Sequence, residues 1–158
     1  MANVLIIYYS QTGNTREMAD AVATGAKSAG AEVSVCNVEE CNPEQLLNYE
    51  GIIAGSPTYY GLAAGPLKDF FDRSVVYQGK LEGKVGGAFS SAGIFGGGSE
   101  TAVMSILQIM LVHGMVVQGQ SEGNHYGAVS VGSPDENAQE QCRVLGEKVA
   151  RLAAVLYD

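Results

Sequence analysis

The sequence predicts an α/β protein, an open parallel sheet with helices on both faces, and three observations carry that expectation. Short apolar runs recur at residues 2–9, 51–55 and 85–90, each too short for a helix and unbroken by polar alternation. That is how strands buried on both faces read. Between the runs lie stretches with an apolar residue every third or fourth position, the period of an amphipathic helix. The segments leaving the three apolar runs, at 10–15, 56–61 and 91–98, are rich in Ser, Thr, Gly and Tyr. In sheets of this class ligands bind beyond the carboxyl ends of the strands, at the switch point.

The elements follow in order. Residues 2–9 form the first strand. Over 14–29, Met18, Val22, Ala26 and Ala29 make a helical stripe, with Gly30 as its stop. Residues 32–38 alternate and read as a more exposed strand. Asn42-Pro43-Glu44 is an N-cap with proline at the first helical position, opening a short helix. A buried strand at 51–55 ends at Ser56-Pro57, and a helix over 65–74 has Pro66 near its start. The strand at 85–90 leads through a glycine-rich loop to a helix over 99–112, whose apolar face is Val103, Ile106, Leu107 and Met110. A strand at 115–117 resumes at 128–131 after a loop. Ser133-Pro134-Asp135-Glu136 reads as a capping box, starting a last helix with Leu145, Val149, Leu152 and Leu156 inward.

A length of 158 residues favours one domain, spanning 1–158, able to bury a core without staples. With 46% hydrophobic and 16% charged residues the chain is globular and not disordered. A net charge of −8 argues against nucleic acid, which needs a basic face. Cys36, Cys41 and Cys142 are odd in number and lack C-x-x-C spacing. We therefore expect reduced thiols, no disulfide framework, no metal site and a cytoplasmic location. No apolar run approaches the length of a membrane span, and no basic segment precedes the first strand, so neither a span nor a signal peptide is expected.

The first loop reads Y-S-Q-T-G-N-T-R from Tyr9 to Arg16. Ser10, Gln11, Thr12, Gly13, Asn14 and Thr15 stand at a strand-to-helix turn with no cationic residue before Arg16. Helix N-termini offer free N–H groups and the positive end of a dipole. Hydroxyl donors and one glycine turn such a site into a phosphate cradle. The plain alternative is a helix start capped by Asn14 or Thr15. Neither G-x-x-x-x-G-K-[ST] nor G-x-G-x-x-G is present. In the second loop, Pro57 fixes a turn, Thr58 can hydrogen-bond, Tyr59 and Tyr60 can lie beside a flat ring, and Gly61 leaves backbone accessible. Ser91, Ala92, Gly93, Phe95, Gly96 and Gly97 belong to a third loop with more glycine than packing requires, and main chain can press against a ring there.

The segments G-S-P-T-Y-Y-G, A-A-G-P-L-K-D-F-F-D, G-K-V-G-G-A-F-S-S-A-G, G-G-G-S-E and H-G-M-V-V resemble the WrbA-type branch of the flavodoxin-like family, the FMN-dependent NAD(P)H:quinone oxidoreductases. The first loop is similar to the flavodoxin signature [TS]-x-T-G-x-T, which binds the FMN phosphate. The resemblance covers most of residues 4–117 and implies a three-layer sandwich, a five-stranded parallel sheet in the order 2-1-3-4-5. It implies FMN as cofactor, held by the three loops, with NADH or NADPH as transient electron donor. This chain is shorter than typical members, has Tyr59 where an arginine is common, and carries Phe95 in a glycine loop one residue longer.

Two roles follow. An electron carrier covers both flavin faces with aromatics; an oxidoreductase leaves one face open for a nicotinamide and then a quinone. The chain has no tryptophan and offers glycines with a single Phe95 in the third loop, which favours the quinone oxidoreductase. The alternatives are a flavodoxin-type carrier serving a redox protein partner, or a non-catalytic FMN-binding docking protein. His113 is the candidate catalytic residue, a donor to a quinone oxygen, against the plainer role of partner to a helix C-terminus. His125 and Tyr126 form a second candidate pair. A homodimer or homotetramer is compatible with the resemblance.

Overall fold

The computed structural model describes residues 1–157. Seven strands and four helices follow the chain: β1 (Asn3–Tyr8), α1 (Asn14–Ser28), β2 (Glu32–Asn37), β3 (Gly51–Tyr59), β4 (Leu62–Ala63), α2 (Gly65–Arg73), β5 (Val85–Ala92), α3 (Ser99–Val112), β6 (Val116–Val117), β7 (Ala128–Val131) and α4 (Glu136–Tyr157). Short 3₁₀ turns cover Pro43–Asn48 and Ser74–Tyr77.

The sheet runs β2-β1-β3-β5, and its fifth position is shared by β6 and β7, both parallel to β5. This is the expected 2-1-3-4-5 order, with the last strand broken between residues 117 and 128 as the sequence suggested, and with one difference: a two-residue β4 folds back antiparallel on β3. Alternate residues of the central strands enter opposite cores. Val4, Ile6 and Tyr8 join Ile53 and Phe89 under α1 and α4; Leu5 and Ile7 join Ile52, Ala54 and Ala88 under α2 and α3. The edge strand β2 is the least buried, as its alternation suggested.

Helices α1 and α4 touch almost backbone to backbone. A Cβ on Gly25 would overlap the Arg143 carbonyl, and one on Gly146 would overlap that of Val22. The apolar stripe of α4 is Cys142, Leu145, Val149 and Ala153; Leu152 is half-buried and Leu156 is exposed, so the inward stripe stops short of the expected Leu156. Its start is also shifted. Asp135 Oδ1 accepts from the Ala138 N–H at 2.8 Å, so Asp135 is the cap and Pro134 lies outside the helix, not at its first turn. Asn42 does cap its turn as expected, in a reciprocal pair with Gln45.

The cysteines differ from expectation. Cys36 and Cys41 form a disulfide, their Cα atoms 6.2 Å apart, and Cys142 alone is a free, buried thiol. The chain turns back after β2, with Glu40 N–H bonded to Asn37 O at 2.9 Å, and this turn carries Cys41 over Cys36. Spacing alone did not show that return. Burial holds the Cys142 thiol at about 12, with nearby Arg143 opposing.

Candidate functional site

The three loops that the sequence singled out meet at the carboxyl ends of β1, β3 and β5. After β1 the chain crosses toward α1, with Tyr9 N–H bonded to Gly55 O at 3.1 Å. Gly13, at φ +102°, is the N-cap of α1, in place of Asn14 or Thr15, and no side chain caps the helix. Its own N–H reaches Ser10 Oγ at 3.2 Å. Gln11, Thr12 and Gly13 are exposed and Ser10 and Asn14 are half-buried, so hydroxyl and amide groups ring an uncapped helix start. Thr15 points the other way: it is 1% exposed and shares a 2.9 Å hydrogen bond with Ser91 Oγ. Thr15 and Ser91 thus join the first loop to the third.

The second segment is a hairpin and not a loop. β3 continues through Pro57 and Thr58 to Tyr59, turns at Tyr60 and Gly61, and returns as β4. Both turn residues have positive φ, +52° for Tyr60 and +78° for Gly61, the geometry of a two-residue turn matched to strand twist. A tyrosine in that region is strained and persists because its surroundings fix it. Thr101 Oγ1 donates to Gly61 O at 2.6 Å, and Ala63 N–H donates to Ser105 Oγ at 3.0 Å. Ser90 Oγ donates to Ser56 O at 2.8 Å, so the 2.9 Å bond between Thr58 and Ser90 is donated by Thr58. Tyr59 donates its hydroxyl to Gln11 Oε1 at 2.6 Å and meets Tyr9 edge-on. Burial, and then the neighbouring Tyr9, hold the Tyr59 phenol above its usual value, which keeps it a donor.

The third segment begins inside β5, which carries Ser91 and Ala92 as buried strand residues. A turn closes from Gly97 N–H to Ile94 O at 3.1 Å. Gly93 and Gly96 have nothing within 4 Å of a built Cβ, and Phe95 is 94% exposed. Gly98, at φ +100°, lies against the hairpin tip: a Cβ there would stand 2.9 Å from Gly61 Cα. The helix start of α1, the stiff turn carrying Tyr60, and the glycine main chain with Phe95 thus lie on adjoining segments.

The structure gathers Ser10, Gln11, Thr12, Gly13, Asn14, Thr15, Pro57, Thr58, Tyr59, Tyr60, Gly61, Ser91, Ala92, Gly93, Phe95, Gly96 and Gly97 on these three adjoining segments. It does not bring His113 to them. His113 follows the last residue of the 14-residue α3, whose first turn adjoins the glycine loop, so about 20 Å of helix separates them. There the ring is 6% exposed, and burial holds it below the ordinary histidine range. His125 and Tyr126 meet edge-on beside Gly127, which lies against Ala88 O of β5, and the His125 ring donates to Gln120 O at 2.9 Å. Thr101, Ser105, Ser56 and Ser90 were missed by sequence reading. Their signal was a set of hydroxyls at strand ends and on the first turns of α3. Among the described residues no group of His, Cys, Asp and Glu could hold a metal ion, and no helix is long and apolar enough to cross a membrane.

Comparison with known proteins agrees with this geometry. The family profile described as Flavodoxin matches residues 6–111. A protein of Aquifex aeolicus named flavodoxin is 42% identical over all of this chain and 90% of its own length. One of Archaeoglobus fulgidus named NAD(P)H dehydrogenase (quinone) is 35% identical over 99% of this chain and all of its own. The crystal structure of a WrbA-like flavodoxin from Agrobacterium tumefaciens superposes with a TM-score of 0.83 at 25% identity, covering 98% of this chain and 99% of that one.

Proposed function

The chain belongs to the flavodoxin family, and on that premise we propose that it binds FMN as one domain over residues 1–158 and acts as an NAD(P)H:quinone oxidoreductase. The residues fit the cofactor. Neutral donors at an uncapped helix start suit a phosphate, with Ser10, Thr12 and Asn14 as the side-chain donors. Tyr60 and the glycine main chain suit the two sides of a flat ring. When bound, FMN supplies the hydride and electron chemistry. The protein holds and orients it, with Gln11 fixed by Tyr59 and Thr58 fixed by Ser90.

The observation carrying the oxidoreductase reading is the third segment. It sets Gly93 and Gly96 in open space where a carrier would pack an aromatic lid, leaving room for a nicotinamide or a quinone. Two relatives point to different activities. The 35% identical one is named a quinone dehydrogenase, whereas the 42% identical one, named flavodoxin, favours the second reading, an electron carrier for a redox protein. A nicotinamide donor supports a cytoplasmic location. His113 can meet a quinone only from a second subunit, so a catalytic role for it stands or falls with a homodimer or homotetramer.

The test is steady-state oxidation of NADH and NADPH by the FMN-loaded protein with benzoquinone. Turnover with either donor supports the enzyme. A stabilised blue semiquinone with slow reduction by both donors replaces it with the carrier.

A further inference from the structure

Away from the three loops, a groove of about 460 Å³ runs between α4 and residues 118–120, the segment that follows β6. That volume suits a small molecule. Val144, Leu152 and Val155 give the α4 side an apolar wall, and Gln118 and Gln120 line the other side. Val155 is 79% exposed, so the chain itself leaves this wall uncovered.

Lys148 stands within that wall. On a helix, ion pairs form three or four residues apart. At those distances from Lys148 lie Val144, Leu145, Arg151 and Leu152, none of them acidic. Arg143 and Arg151 on the same helix each bond a glutamate, Glu140 and Glu147. Among the described residues Lys148 pairs with no carboxylate. Its side chain crosses from α4 to the opposite side of the groove, where Nζ donates only to Gly119 O, at 3.5 Å, a long and weak bond. Two of its three N–H donors thus have no acceptor in the protein. Lys148 is half-buried, and burial holds its ammonium below the ordinary lysine value with no acidic neighbour opposing. Removing a charge from water without a counterion is costly.

We propose that this groove binds a small organic monocarboxylate with an apolar tail, the carboxylate paired with Lys148 and the tail laid along Val144, Leu152 and Val155. The unmatched ammonium selects one negative charge. A dianion would bring a second charge into a groove whose other ions, Arg151 and Glu147, already bond each other. The apolar wall selects a hydrocarbon tail over a bare anion. The inference goes beyond the flavin and quinone reading and stands without it, since no residue of the groove belongs to the three loops.

The probe is hexanoate, titrated by NMR into the FMN-loaded full chain at neutral pH. Hexanol keeps the tail and lacks the charge; acetate keeps the charge and lacks the tail. Hexanoate should move the Val144 and Val155 methyls and the Lys148 Cε signal saturably. Hexanol should bind about tenfold more weakly, the low end for a hydrogen bond to a charged group because the site is only half-buried. Acetate should bind more weakly than hexanoate. Lys148→Gln should erase the preference for hexanoate over hexanol. Val155→Ser, a change at an exposed position, should weaken hexanoate in a protein whose thermal melt is unchanged. Equal affinity for hexanoate and hexanol, a preference that survives Lys148→Gln, shifts confined to the three loops, or no saturable binding would each overturn the proposal. So would a dimer, seen by sedimentation at the same concentration and broken by Lys148→Gln, because an acidic surface of a second copy would then be the partner of Lys148.

Discussion

Adding one methyl group at Gly98 tests whether the hairpin and the glycine loop work as one clamp. Gly98 and Gly96 both have positive φ, +100° and +72°. Alanine at either position pays the same kind of conformational penalty, about 1–2 kcal/mol. The surroundings differ. A Cβ at Gly96 meets nothing within 4 Å, whereas one at Gly98 stands 2.9 Å from Gly61 Cα and 3.0 Å from Thr101 Oγ1. The first contact is backbone and cannot rotate away, so the tip carrying Tyr60 must move. The second disturbs the hydroxyl that holds Gly61 O and Gly98 O. A steric penalty of about 1–3 kcal/mol then falls on Gly98→Ala beyond that of Gly96→Ala. Urea unfolding of the apoprotein measures the difference. Fluorescence titration with FMN should show a further loss of affinity for Gly98→Ala, on the order of tenfold for each 1.4 kcal/mol transmitted to the three loops. Equal losses in the two variants would show that the segments do not bear on each other.

Three shorter predictions accompany it. Thr12→Ala should weaken FMN by roughly 1.5–3 kcal/mol while leaving riboflavin affinity unchanged, because only a phosphate uses that donor; equal affinities of wild type for the two flavins would remove the cradle. Stability should fall as pH drops below the ordinary histidine value. The folded-state pKa of His113 is lowered by burial, so just below 6.5 the unfolded chain binds more protons and is favoured. His113→Gln should flatten that slope in thermal melts, and an unchanged slope would reject the assignment. Thiol titration of the denatured, unreduced protein should find one reactive cysteine, Cys142, rising to three after reduction; three before reduction would return Cys36 and Cys41 to the thiol state expected from spacing.

What the sequence made legible was whatever depends on local pattern. β1 is an unbroken apolar run because both its faces are covered, and α3 falls at 99–112 because Gly98 and Gly114 bracket it. The broken last strand was readable because a polar loop interrupts an apolar pattern. The errors have a different origin. Ser133-Pro134-Asp135-Glu136 contains two possible caps, and only the docking of α4 selects Asp135. The segment through Tyr60-Gly61 hides a hairpin whose return strand is two residues long, too short to alternate. The Cys36–Cys41 pairing depends on a turn in three dimensions.

His113 teaches the most about reading a site from motifs. The H-G-M-V-V segment matches a family pattern, and the glycine loop matches another, but the 14 residues of α3 lie between them. At 1.5 Å per residue that helix fixes their separation at about 20 Å before any coordinates are known. Chemistry also constrains the residue. Ser74 takes the only N–H of the neutral ring, so Nδ1 can accept and cannot donate. In this tautomer His113 would receive a proton donor such as a hydroquinone hydroxyl, even from a neighbouring subunit, and would not polarise a quinone oxygen. Replacing Ser74 by alanine frees the tautomer. If His113 serves quinone reduction as a donor, Ser74→Ala should raise kcat/KM for quinone, because it frees Nδ1 to carry the proton. If its task is only to accept, the same change should leave kcat/KM for quinone unchanged.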